Sequence, residues 1–115
     1  MDRYIFRGKC KDIWLKGFLV FDELGTPYIC KNMGVYAPVK KETVGQCTGL
    51  KDRNGKLIFS DDVCKSIDGI FLVAWSDEKC AFLMRFHDET LYMEEMWEDA
   101  EIIGNIHDNR WEDFI

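Results

Sequence analysis

From Ile13 to Phe21 the chain reads IWLKGFLVF, which in an extended strand sets Ile13, Leu15, Leu19 and Phe21 on one face and Trp14, Lys16, Phe18 and Val20 on the other. Both faces carry bulk, so one of them is expected to meet a second layer or another subunit. The same period of two returns along the chain and predicts strands over 3–7, 13–21, 27–31, 35–39, 44–48, 56–59, 62–67, 70–75, 80–86, 90–93 and 101–106. Turn residues punctuate these runs. Leu24-Gly25 leads into Thr26-Pro27, Asn54-Gly55 is the strongest hairpin signal, Asp68-Gly69 follows, and Ser76-Asp77-Glu78-Lys79 makes a polar link. Short strands joined by tight reversals describe an antiparallel meander, mainly all-β, and the spacing suggests a small, strongly bent barrel or sandwich.

Helical periodicity is confined to the C-terminal third. In DETLYMEEMWEDAE, residues 88–101, Met93, Met96, Trp97 and Ala100 fall at helical spacing, with Glu94, Glu95, Glu98 and Asp99 polar between them. One or two helical turns are expected there, and another over Asn109–Phe114, where Trp111 and Phe114 are three apart. Nothing repeats internally and no linker composition intervenes, so a single domain over 1–115 is expected. No run approaches the roughly eighteen apolar residues of a membrane helix, and MDRYIFRGKCKD lacks the features of a signal peptide. A cytosolic protein without membrane contact is the expectation.

Charge changes the picture more than overall composition does. Residues 1–58 carry eleven Lys/Arg and six Asp/Glu, whereas residues 59–115 carry four and fifteen; the chain sums to −6. A fold that interleaves the halves would cancel most of this field. One that keeps them apart would be bipolar and suited to head-to-tail self-association or a charged partner. The five cysteines, Cys10, Cys30, Cys47, Cys64 and Cys80, include no C-x-x-C pair and are odd in number, so they read as reduced apolar residues.

Candidate chemistry is sparse. Gly49-Leu50-Lys51-Asp52-Arg53-Asn54-Gly55-Lys56 has five residues between its glycines rather than four and runs into Leu57, so it fails as a phosphate loop and reads as a hairpin with a basic tip. His87 and His107 are the two neutral-pH bases, and sequence does not bring either to Cys47 or Cys64. Asp61, Asp62 and Asp68 lack the spacing of a calcium loop. No catalytic, metal or cofactor site is therefore expected, and function is sought in binding.

Two surfaces compete for that role. The acidic 88–101 segment, with Glu94, Glu95, Glu98 and Asp99 around Trp97 as an anchor, has the charge to imitate a nucleic-acid backbone against a basic groove on a bacterial host protein such as a nuclease. Its plainer reading is a solvated face whose apolar side completes the core. At the other end, Arg3, Arg7, Lys9, Lys11 and Lys16 interleave with Tyr4, Phe6, Trp14 and Phe18, a composition suited to nucleic acid. Here the core of the first hairpin is the expected fate of the aromatics, and a nucleic-acid face through Arg7, Lys9, Lys11 and Lys16 is the weaker alternative.

Several motifs together resemble one family. Tyr4-x-Phe6-Arg7-Gly8-Lys9, Trp14-x-x-Gly17-x-x-Val20, Thr43-Val44-Gly45-Gln46-Cys47-Thr48-Gly49-Leu50-Lys51-Asp52-x-Asn54-Gly55-Lys56-x-Ile58-Phe59, the strand around Trp75, and Ile102-Ile103-Gly104-Asn105-Ile106-His107-Asp108-Asn109 are similar to the YopX-like proteins of phages and prophages. The resemblance spans nearly the whole chain. It implies an SH3-like barrel, assembly into homo-oligomers and a mobile-element origin, hence the cytoplasm of a bacterial host, and it implies no reaction. It also implies a Glu-Gly-Asp turn after Phe59, where this chain has Ser60-Asp61-Asp62, so a positive φ there would fall to Asp61. The leading expectation is a non-enzymatic accessory protein that binds proteins and self-assembles.

Overall fold

The computed structural model describes residues 3–32, 34–87, 89–92 and 98–114. The chain divides into two compact units, Met1–Gly49 and Leu50–Ile115. Among the described residues it is all-β, with strands in antiparallel sheets and only single 3-10 turns besides.

In the first unit β1 (Phe6–Cys10), β2 (Ile13–Phe21), β3 (Pro27–Asn32), β4 (Val35–Pro38) and the start of β5 (Gly45–Lys51), which continues past Gly49, run in the order β4-β3-β2-β1-β5. A two-residue reversal, Lys11-Asp12, joins β1 to β2, with Lys11 at a φ of 58°. This turn sets β1 at Phe6–Cys10, so the strand expected at 3–7 lies later in the chain, and Tyr4 falls in the turn before it. The β2–β3 loop is tied by Asp22, whose Oδ1 accepts the N–H groups of Leu24 and Thr26, both at 2.9 Å, while Gly25 takes a φ of 83°. These bonds hold the Asp22 carboxyl below its usual pKa, the Thr26 N–H foremost. A 3-10 turn, Lys41–Thr43, precedes β5. In it the buried Thr43 hydroxyl donates to Lys40 O at 2.6 Å and accepts the Lys9 N–H at 2.8 Å, linking the turn to β1.

The second unit holds β6 (Leu57–Phe59), β7 (Asp62–Ser66), β8 (Gly69–Ser76), β9 (Ala81–Arg85), β10 (Thr90–Tyr92) and β11 (Glu101–Asn105). Its sheet runs β10-β9-β8-β7-β11. Ile67-Asp68 closes the β7–β8 hairpin and Asp77–Cys80 the β8–β9 link, as their turn chemistry predicts. The core is compact: Ile58, Cys64, Phe71, Val73, Phe82, Met84 and Ala100 are buried, with Leu50, Phe86 and Ile102 packed against them. Phe71 and Phe86 meet at a ring separation of 5.3 Å, and Phe82 takes the Trp75 ring edge-on at 5.0 Å.

The all-β expectation holds. A closed barrel does not form among the described residues, because β4 ends the first order and β10 and β11 end the second. Residues 90–92 are strand rather than helix, pairing Thr90 with Arg85 and Leu91 with Met84. Of the helical pattern, Met93, Met96 and Trp97 lie outside the described residues, and Glu98-Asp99 form a turn. The short turn expected at 109–114 is present as the 3-10 turn Trp111–Asp113, with the Trp111 and Phe114 rings 6.4 Å apart. No helix among the described residues is long and apolar enough to cross a membrane.

Candidate binding surface

The hairpin over Thr48–Phe59 is organised by Asp52, a residue whose role the sequence did not reveal. It is buried, its Oδ1 accepts the N–H groups of Asn54 and Lys56 at 2.9 Å each, and its Oδ2 accepts the N–H of Ile102 at 3.1 Å. Burial by itself would raise its pKa, but the three N–H donors and the nearby Lys56 charge outweigh it and hold the carboxyl below its ordinary value. Gly55 supplies the positive φ of 82° that the Asn-Gly turn requires. The basic tip is a structured reversal built on a carboxylate, which is the opposite of a phosphate cradle.

The candidate chemical groups separate in space. His107 Nε2 lies 2.8 Å from Asp61 Oδ2, with both side chains partly buried. Asp62, two per cent exposed, instead accepts the Phe59 N–H at 2.8 Å. Asp61 takes the left-handed conformation at a φ of 75°, the geometry implied for the glycine it replaces, and its N–H and C=O bond Val73 O and Ile106 N. Cys47 and Cys64 are buried and Cys80 is exposed. Among the described residues no three His, Cys, Asp or Glu side chains gather into a metal-sized cluster.

The proposed acidic site falls mostly outside the described residues, with Glu94, Glu95 and Trp97 there and Glu98 and Asp99 in an exposed turn. Asp99 Oδ2 accepts the Ile67 N–H at 2.9 Å, which ties this end of the segment to the β7–β8 hairpin. A recess of about 340 Å³ opens beside it, lined by Arg53, Lys65, Ser66, Ile67, Asp99 and Glu101 and mixed in charge.

The N-terminal residues are assembled more informatively. Register pairs Arg7 with Lys16 and Lys9 with Trp14, then Phe18 with Cys30 and Val20 with Tyr28, and across β3–β4 pairs Cys30 with Tyr36. Directly opposed residues share a face and so do alternate ones, so Arg7, Lys9, Trp14, Lys16, Phe18, Val20, Tyr28 and Tyr36 lie on one face of this sheet. Phe18 is 59% and Tyr36 58% exposed, and Val20 is exposed as well. The Arg7 guanidinium stands 4.6 Å from the Trp14 ring centroid and the Lys9 ammonium 5.6 Å, so both cations are within cation–π reach of the ring. Arg7 itself is buried.

This corrects the expectation that the aromatics fill the first hairpin's core. Phe18 faces solvent, Trp14 is half-buried, and the opposite face, with Ile29 fully buried, supplies the packing. Not every nominated residue joins the face. Lys11 occupies the β1–β2 turn, and Phe6, opposite Gly17, belongs to the other side. Sequence alone does not place Tyr28 and Tyr36 on this face, because their position depends on the β2–β3–β4 register. The alternation of β2 was the signal, and only pairing could extend it.

These features describe a small all-β protein with two open antiparallel sheets, one of which carries an exposed aromatic and cationic face. The model of the YopX protein family matches residues 22–110, and the chain belongs to that family. No curated protein matches it in sequence.

Proposed function

We propose that the protein is a non-enzymatic, phage-type accessory protein that works by binding, and that its copies associate head to tail. The supporting observation is that the charge division follows the structural one. The first unit, residues 1–49, carries eight Lys/Arg and five Asp/Glu, and the second, residues 50–115, carries seven and sixteen. Strands β1 to β4 contain no Asp or Glu at all, the acids of the first unit being confined to its turns and terminus. A basic sheet in one copy and an acidic unit in the next are electrostatically complementary. Exposed aromatics such as Phe18 and Tyr36 supply apolar contact area.

Membership of the YopX family supports the phage-type assignment, and the bacterial cytoplasm is the setting that this reading gives the protein. Sedimentation velocity of the full chain at about 50 mM and about 500 mM salt tests it. Association that weakens as salt rises is expected, since the Debye length shortens from roughly 14 Å to roughly 4 Å. A strict monomer at both salt concentrations would end the self-assembly reading.

A further inference from the structure

We infer that the β1–β4 face takes single-stranded nucleic acid, with Phe18 and Tyr36 as base-stacking platforms and Lys9 and Lys16 as phosphate contacts. The inference rests on the reading that the protein works by binding, and not on self-assembly. Non-specific single-strand recognition needs aromatic rings open to solvent, cations spaced along them, and an absence of carboxylates that would repel the backbone.

All three occur here together. Phe18 and Tyr36 share a row two strands apart, roughly 10 Å by ordinary strand spacing, and Trp14 lies four residues along β2 from Phe18, roughly 13 Å. Lys16 stands between Trp14 and Phe18 on the same side of β2, and Lys9 stands opposite Trp14 on β1. Strands β1 to β4 hold no carboxylate, and the acids that flank them, Asp12, Asp22 and Glu23, lie in the connecting turns. Arg7 is buried against Trp14, so it orients that ring and leaves the phosphates to Lys9 and Lys16.

The chain's net charge of −6 arises in the second unit, with seven Lys/Arg and sixteen Asp/Glu, whereas the unit that bears this face is net basic, with eight and five. Bases must be unstacked to lie on isolated rings, which selects a single strand over a duplex. An acidic segment of a second copy would use the same lysines and rings, so the variants and the two assays below are chosen to separate the two occupants.

The test is fluorescence anisotropy of a 5′-labelled oligothymidylate, with the full chain titrated at about 50 mM salt. Binding is expected, and with two phosphate contacts at about 0.7 ions each, raising salt fourfold should weaken it about sevenfold. Phe18→Ala and Tyr36→Ala should each weaken it roughly 5- to 150-fold, the range for loss of one stacked base. Phe18→Leu should behave like Phe18→Ala, because it keeps apolar area and loses the ring. Circular dichroism and melting of each variant should match wild type, since both sites are surface positions.

Absence of binding overturns the inference, as does binding that Phe18→Leu and Tyr36→Leu leave intact. If the oligonucleotide does not bind while Phe18→Ala disrupts salt-sensitive association in the centrifuge, the face docks protein: the inference falls and the proposed function stands. A monomer that binds the oligonucleotide gives the reverse result.

Discussion

Strands β7, β8 and β9 of the second unit carry Val63, Cys64, Phe71, Val73 and Met84 at zero exposure, whereas β2, the longest strand of the first unit, has no fully buried residue and exposes Phe18, Val20 and Phe21. Both regions are built from alternating strands of similar hydrophobicity, so alternation is not what separates them. The second unit concentrates its apolar side chains into one packed cluster, each fully buried large member contributing about 1.5–3 kcal/mol. The first leaves large apolar groups in water, Phe18, Val20 and Tyr36 on one face and Ile13 and Phe21 at the ends of β2 on the other, where they add little to folding and remain available for contact. The polar anchors differ too. Asp52 organises its hairpin through three backbone N–H groups, whereas Thr43 links its turn to β1 through one donated and one accepted bond.

The sharpest way to break this comparison is to truncate one phenylalanine in each region. Phe71→Ala should cost about 3–5 kcal/mol in urea denaturation, and Phe18→Ala no more than about 0.5 kcal/mol. Comparable losses would mean that the exposed face is part of the folding core.

Next in size is Asp52→Asn, which sets an amide N–H against a partly buried backbone donor and should destabilise by about 1–3 kcal/mol. The carboxyl's pKa is depressed in the folded state, so its contribution is present in full above its ordinary value of 3.8 and is lost as pH falls through the folded value. The stability gap between wild type and Asp52→Asn should therefore be constant near neutrality and close on acidification below about pH 3.8. A gap that persists in strong acid would show that the carboxylate charge is not what matters.

In the first unit Thr43→Val removes the acceptor of the Lys9 N–H at nearly constant volume, and about 1–2 kcal/mol should be lost in the same assay. A neutral result would mean that water replaces the hydroxyl and that this turn is more open than its burial indicates.

The smallest effect concerns Asp61. Asp61→Gly and Asp61→Ala both lose the His107 pair, but only glycine accepts a φ of 75° without strain, so the glycine variant should be the more stable by about 1 kcal/mol. Equal stabilities would show that the backbone relaxes away from the left-handed region once the side chain is gone.

Much of this architecture was legible in advance because strand formation and tight reversals are local. The run from Ile13 to Phe21 is a strand over those residues, and Asn54-Gly55 and Ser76–Lys79 lie at reversals. Where local signals are weak, elements are less well defined by sequence. Lys11-Asp12 carries no glycine or asparagine, so nothing local marks the turn that ends β1, and alternation alone starts the strand too early. Asp61 shows another case, since the family's glycine is absent there and only the structure shows that Asp61 takes the positive φ in its place.

What the sequence determined by itself was the all-β class, the position of most strands, the unequal charge of its two halves and its family, because each depends on residues close together or on summed composition. Tertiary structure decided which face of each strand meets solvent, because exposure depends on partners tens of residues away. It moved Trp14 and Phe18 from an expected core to a half-open sheet face, added Tyr28 and Tyr36 beside them through register, and bound Asp52 to Ile102 across fifty residues of chain. Alternation states that two faces differ; only pairing and packing determine which one water keeps.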